Sequence, residues 1–189
     1  MKAARALPIR GVNPDLPVRA NAGIIIGVRL AELLFYDRIV ARADEVEALH
    51  AMRIAAKHLR YTLEIFAPYY GKPYQTAIEA VKQIQEMLGR IHDADVLLPE
   101  LLNHVRSELR FSTVDQLHGR WPDLDGAAGL IGLCRDAKAE RRRLHAEFVT
   151  YWKTVKDGAM FEQLWEQLQA GNHPESKAST SLSPNAVHH

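Results

Sequence analysis

Apolar residues between positions 49 and 66 recur three and four apart: Leu49, Met52, Ala56, Leu59, Leu63 and Phe66. That spacing lines one side of a helix with 3.6 residues per turn, and it does not fit a strand, whose faces alternate at every second residue. The same period returns in Ile78, Val81, Ile84, Met87 and Leu88, and in Leu133, Ala137, Leu144, Phe148, Tyr151 and Val155. Strong strand alternation is found nowhere along the chain. The expected fold is all-α, an antiparallel bundle of long helices.

Turn and cap residues divide the chain. Pro8, Gly11, Pro14 and Pro17 make residues 1–20 an irregular arm. A first helix is expected from Asn21 to about Arg42. Asp44 followed by Glu47 resembles a capping box opening a second helix, which runs to about Tyr69. Gly71 then stops it and Pro73 suits the first turn of a third helix. Gly89 should loosen that helix, and Pro99 predicts a kink or a restart. Residues 111–126 read as a loop, Ala127–Val155 as a long helix, Asp157-Gly158 as a break and Met160–Leu168 as a short last helix. The bundle thus spans 21–169. The Ser-rich residues 170–189 read as a disordered tail, with His188-His189 a tail feature.

A chain of 189 residues, 47% apolar and 25% charged, can bury a real core. Its formal net charge of +1 means that any electrostatic function must come from local clustering. A single cysteine, Cys134, cannot form an internal disulfide and reads as a packed small residue; Trp121 and Trp165 likewise read as packing residues. With no secretory h-region at the start and no apolar stretch long enough to span a bilayer, the expected compartment is the cytoplasm, with no membrane partner.

Clustering is what the segment "HAMRIAAKHLRY" shows. At 100° per residue, His50, Arg53, Lys57, Arg60 and Tyr61 share an arc of roughly 100°, beside the apolar sector and with no acid before Glu64. A solvated helix face normally mixes signs at i,i+4. A second basic line, Arg135, Lys138, Arg142 and His145, runs along the later long helix. Lys82, Gln85, Gly89 and Asp93 line up on the third, with His92 at their edge. Basic lines on separate helices predict a shared basic groove or pore. Its best generic ligand is flexible and phosphate-rich, since guanidinium forks and lysine point charges both suit phosphate oxygens.

The run "ALHAMRIAAKHLRYTLEIF" followed by "KQIQEMLGRIHDADVLLPEL" resembles the CHAD domain, the conserved histidine α-helical domain. The matching positions are His50, Arg53, Lys57, Leu59-Arg60-Tyr61, Glu64, Lys82, Gln85, Leu88-Gly89, Asp93 and Val96, and the resemblance extends over roughly residues 20–168. It implies a helical bundle that binds inorganic polyphosphate in a basic pore and locates to polyphosphate granules. His50, Arg53, Lys57, Arg60 and Lys82 then become the polyphosphate-binding candidates. The helical wheel adds Arg135, Lys138, Arg142 and His145, while Glu64 and Asp93 would orient neighbouring cations. The family commonly has two helical halves, each with a basic motif, whereas this chain carries one good copy. Either a homodimer rebuilds a two-sided pore or the pore is an open groove.

Other chemistries are disfavoured. No two histidines stand at i,i+3 or i,i+4, and Glu47-x-x-His50 is the only di-iron-type motif, so no metal or other cofactor is expected. Glu100, His104 and Glu108 read as a solvated ladder. Without a phosphate-binding Gly-rich loop, an Mg²⁺-holding acidic cluster or a nucleophile elbow, no enzyme is expected. Single-stranded nucleic acid would want more aromatic platforms than Tyr61 supplies on this face. A helical scaffold meeting an acidic protein remains the other alternative.

Overall fold

The computed structural model describes residues 6–108, 118–119 and 124–170. Its α-helices are α1 (Val18–Leu34), α2 (Val46–Phe66), α3 (Lys72–Glu108), α4 (Leu124–Asp157) and α5 (Met160–Ala170). Single 3₁₀ turns at Asp37–Ile39 and Ala67–Tyr69 flank α2. No strand occurs among the described residues, so the all-α expectation holds. Trp121 and residues 171–189 lie outside the described residues.

Several boundaries differ from the sequence-based ones, each for a local reason. The first helix begins at Val18, directly after Pro17, and ends at Leu34 instead of continuing to Arg42. Asn21 draws the chain before it inwards: its side-chain amide donates to the Asn13 carbonyl at 2.8 Å and its oxygen accepts from the Asn13 N–H at 3.0 Å. Glu45 takes the N-cap of α2, one residue after Asp44, without a side-chain capping bond. Neither Gly89 nor Pro99 interrupts α3, which is one continuous helix of 37 residues. Proline removes one helical N–H, but α3 is held to α4 by the buried Asp95–Arg141 pair before Pro99, and Val105 is buried after it. The expected break after Asp157 occurs, with the left-handed residue at Ala159 (φ 54°) and not at Gly158.

The core follows the predicted stripes. Leu49, Met52, Ala56, Leu59 and Leu63 of α2 pack with Ile26, Leu30 and Leu33 of α1 and with Tyr74 through Ile91 of α3. Leu144, Phe148, Trp152 and Val155 of α4 close the far side with Phe161, Leu164 and Leu168 of α5. Polar bonds pin this packing: the Tyr74 hydroxyl donates to the Leu63 carbonyl at 2.9 Å, and Asp37 accepts from Trp152 Nε1 and Lys156 Nζ, each at 2.7 Å. On the outer side of α1, the Arg29–Glu32 pair receives the arm, Arg29 donating to the Leu7 carbonyl and Glu32 accepting the Leu7 N–H. Trp165 lies over Gly27, where a Cβ would come within 3.1 Å of its ring, yet remains 46% exposed.

The core stops short of the helices. Its last α3 member is Ile91 and its first α4 member is Leu144. Beyond them α3 and α4 run on together as an overhang, with Val96, Leu97, Leu102, Ile131 and Leu133 exposed. Leu133, expected on the apolar sector, is half exposed and lies outside the core cluster.

Depth in the core should therefore grade the cost of truncation. Leu59→Ala, at a site with no exposure, should destabilise by about 2–5 kcal/mol. Ile65→Ala, at a site 68% exposed on α2, should stay within about 0.5 kcal/mol. Urea denaturation of both variants checks the contrast.

Candidate anion-binding site

The basic line of α2 lies at the seam with α3. His50 Nδ1 stands 3.2 Å from His92 Nδ1, with the rings 4.3 Å apart. Three residues on along α2, Arg53 lies across from Gly89, three residues back along α3; a Cβ built on Gly89 would be 3.6 Å from Arg53 Nε. The helices are thus antiparallel in a fixed register. Continued by a turn at a time, that register sets Lys57 level with Gln85 and Arg60 level with Lys82. Steric logic puts the line here, since residues some 100° round from a buried stripe emerge where the packed neighbour ends.

Compensation along this line is thin. Arg60 Nε lies 3.3 Å from Glu64 and its guanidinium stacks 4.8 Å from the Tyr61 ring centre. Lys82 is 3.9 Å from Glu79, with both groups largely exposed, a pairing worth little. Lys57 is exposed, its ammonium 5.8 Å from the Tyr61 ring centre. Among the described residues, Arg53 Nε and Arg60 Nε are buried with no hydrogen-bond acceptor, and Gln85 Oε1 is buried with no donor. An unfilled buried N–H costs on the order of 1–3 kcal/mol unless a ligand fills it. Burial, reinforced by His92 and then Arg53, holds the His50 pKa below the ordinary imidazole value.

The α4 candidates are placed differently. Arg135, Lys138 and Arg142 are exposed and pair with no carboxylate among the described residues. His145 is buried, with Nε2 unpartnered. Its pKa is lowered by burial and Arg141, against the opposing effects of a hydrogen bond with the Val40 backbone and of Asp95. Asp93 is exposed and holds no cation among the described residues. The structure therefore sets His50 against His92 and Arg53 against Gly89 of α3, and sets His145 apart from solvent.

Two partners escaped the sequence reading. His92 was placed only at the edge of its line, yet it touches His50. Arg141 and Asp95 form a buried bidentate pair, Nε–Oδ1 2.8 Å and Nη2–Oδ2 3.2 Å. Their signal was present: Arg141 lies four residues after Ala137 and Asp95 four after Ile91, each on its helix's apolar sector. A charge there calls for a buried counter-charge.

A family model, the CHAD domain, matches residues 2–102. The chain belongs to the CHAD domain family. The CHAD match begins earlier and ends sooner than the span of roughly 20–168 expected from the motifs. It takes in the arm, α1, α2 and α3 as far as Leu102, and so both sides of the seam. Comparison with curated proteins gives no match, and neither does comparison with solved structures. CHAD domains are generally non-catalytic binding domains, linked to polyphosphate binding. Among the described residues no helix is long and apolar enough to cross a membrane. None of their histidine, cysteine, aspartate and glutamate side chains form a group of three or more able to hold a metal ion.

Removing one member of the buried pair should cost far more than removing both. Asp95→Ala should lose about 3–5 kcal/mol, and Asp95→Leu with Arg141→Met should recover most of it; chemical denaturation of the set checks this. A second expectation follows from the imidazoles. His50 and His145 both have folded pKa values below the unfolded value, so the unfolded chain takes up protons first as the pH drops. Their contribution is present above about pH 6.5 and is lost as the pH falls below it. Melting temperatures measured from pH 8 to pH 5 without polyanion should fall towards the acid end.

Proposed function

We propose that this CHAD domain binds inorganic polyphosphate along the α2–α3 seam, without catalysis. The observation that carries the reading is Arg53 Nε, a buried donor lacking an acceptor in the middle of an undercompensated line of cations. A phosphate oxygen would accept from Arg53, and the next units would meet Lys57 in one direction and His50 in the other. Arg60 and Lys82 extend the line, with Glu64 holding the Arg60 guanidinium in place. Long chains gain because several phosphates engage at once. The reading places the protein in the cytoplasm, at polyphosphate granules.

Titration with long-chain polyphosphate at two salt concentrations tests it, with RNA, heparin and orthophosphate as controls. Affinity should fall steeply with salt and should rank long-chain polyphosphate above RNA and orthophosphate. Arg53→Ala with Lys57→Ala should weaken binding by about tenfold or more, since charge-assisted hydrogen bonds are worth roughly 1.5–3 kcal/mol each, and should leave cooperative melting intact. Unchanged affinity in that folded variant would refute the site. Tighter binding of single-stranded RNA than of polyphosphate would favour the nucleic-acid alternative, and indifference to every polyanion would favour the scaffold.

The same reading includes a homodimer, supported by the overhang. Its α3 side exposes Val96 and Leu97 with Asp93 and Glu100, and its α4 side exposes Ile131 with Arg135, Lys138 and Arg142. A two-fold axis would set acidic rows against basic ones while two hairpins close a four-helix bundle. Analytical ultracentrifugation should show a dimer that Ile131→Glu converts to monomer.

A further inference from the structure

The His50–His92 contact bridges the two helices of the seam in a way that the line of cations does not require. Two Nδ1 atoms at 3.2 Å can share only one proton: one ring donates Nδ1–H and the other accepts with a bare nitrogen. The tautomers of the neutral pair follow. The donor ring keeps a bare Nε2 and the acceptor ring carries its proton on Nε2. Neither Nε2 is among the buried atoms that lack a partner, and both residues are partly exposed. A neutral pair therefore offers the outside one donor and one acceptor, and the acceptor repels an oxyanion.

One added proton removes that conflict at no structural cost. It binds the bare Nε2 of the donor ring, which becomes imidazolium and still donates Nδ1–H to its neighbour. The pair then presents two outward N–H donors with one positive charge. A second proton would have to break the Nδ1–Nδ1 contact. We infer that His92 is a further anion-binding residue of this protein: with His50 it forms a two-imidazole site that takes one phosphate unit of the polyanion together with one proton.

The surroundings agree with uptake on binding and not before. On α2, Arg53 stands one turn away and Glu47 has contacts of its own. On α3, Asp93 is exposed to solvent and Asp95 is committed to Arg141. On α4, Arg141 is neutralised by that pair, while His145 is buried. Without a ligand, burial, then His92 and Arg53, hold the His50 pKa below the ordinary imidazole value. An oxyanion at the two Nε2 atoms reverses that balance, so the pKa rises on binding and affinity must increase as the pH falls.

The inference rests on polyphosphate being the ligand, and the test separates the two. Calorimetric titration with long-chain polyphosphate is run at pH 8, 7 and 6 in buffers of different ionisation heat. Close to one proton should be taken up per bound site near pH 7, and affinity should rise by up to about tenfold per pH unit. His92→Ala should abolish that uptake and flatten the slope; circular dichroism melts verify its fold. Tight binding with no slope overturns the two-imidazole site and leaves the polyphosphate reading standing. A slope unchanged in folded His92→Ala also overturns it, because the proton is then taken elsewhere. Absence of binding at every pH sinks both.

Discussion

Everything at the seam depends on one apolar strip. Leu49, Met52, Ala56, Leu59 and Leu63 leave water by packing on neighbouring helices, and their burial fixes the rotation of α2 about its own axis. Once that rotation is fixed, His50 and Arg53 lie against α3 at His92 and Gly89, and Lys57 and Arg60 follow them along the same line of α2. The position of the cations is thus a by-product of core packing, and it is rigid for the same reason that the core is. A line of like charges is unfavourable by itself. The hydrophobic contact holds it in place, and the undercompensated charge remains available to an anion.

The buried Arg141–Asp95 pair marks the boundary of that core. Below it α3 and α4 pack into the cluster shared with α2 and α5; beyond it, neither helix contributes a described residue to that cluster. Two helices cannot cover their own apolar faces on all sides, which explains why Leu102, Ile131 and Leu133 are exposed although their spacing is that of core residues. The pair secures the base of the overhang while contributing little net energy, because desolvating two charges offsets most of their attraction. Its value lies in register: a guanidinium fork meets both carboxylate oxygens in only one alignment of α3 against α4.

Membership of the CHAD family rests on the arm, α1, α2 and most of α3, and therefore on both walls of the seam. The later helices complete the core without being part of that match. Among their basic residues His145 is enclosed, while Arg135, Lys138 and Arg142 face solvent.

The sequence by itself determined the fold class, the apolar stripes and the basic lines, because 100° per residue is a property of the helix and needs no neighbour. It misplaced the end of α1 and the cap of α2, and the restart it allowed at Pro99 does not occur: α3 stays continuous, with α4 packed against it. It gave no sign that His50 meets His92, because residues 42 apart have no period linking them. Only the antiparallel register of α2 on α3 decided that contact, the empty acceptor position at Arg53 Nε and the exposure of the overhang, for each depends on which helix lies opposite and where it stops.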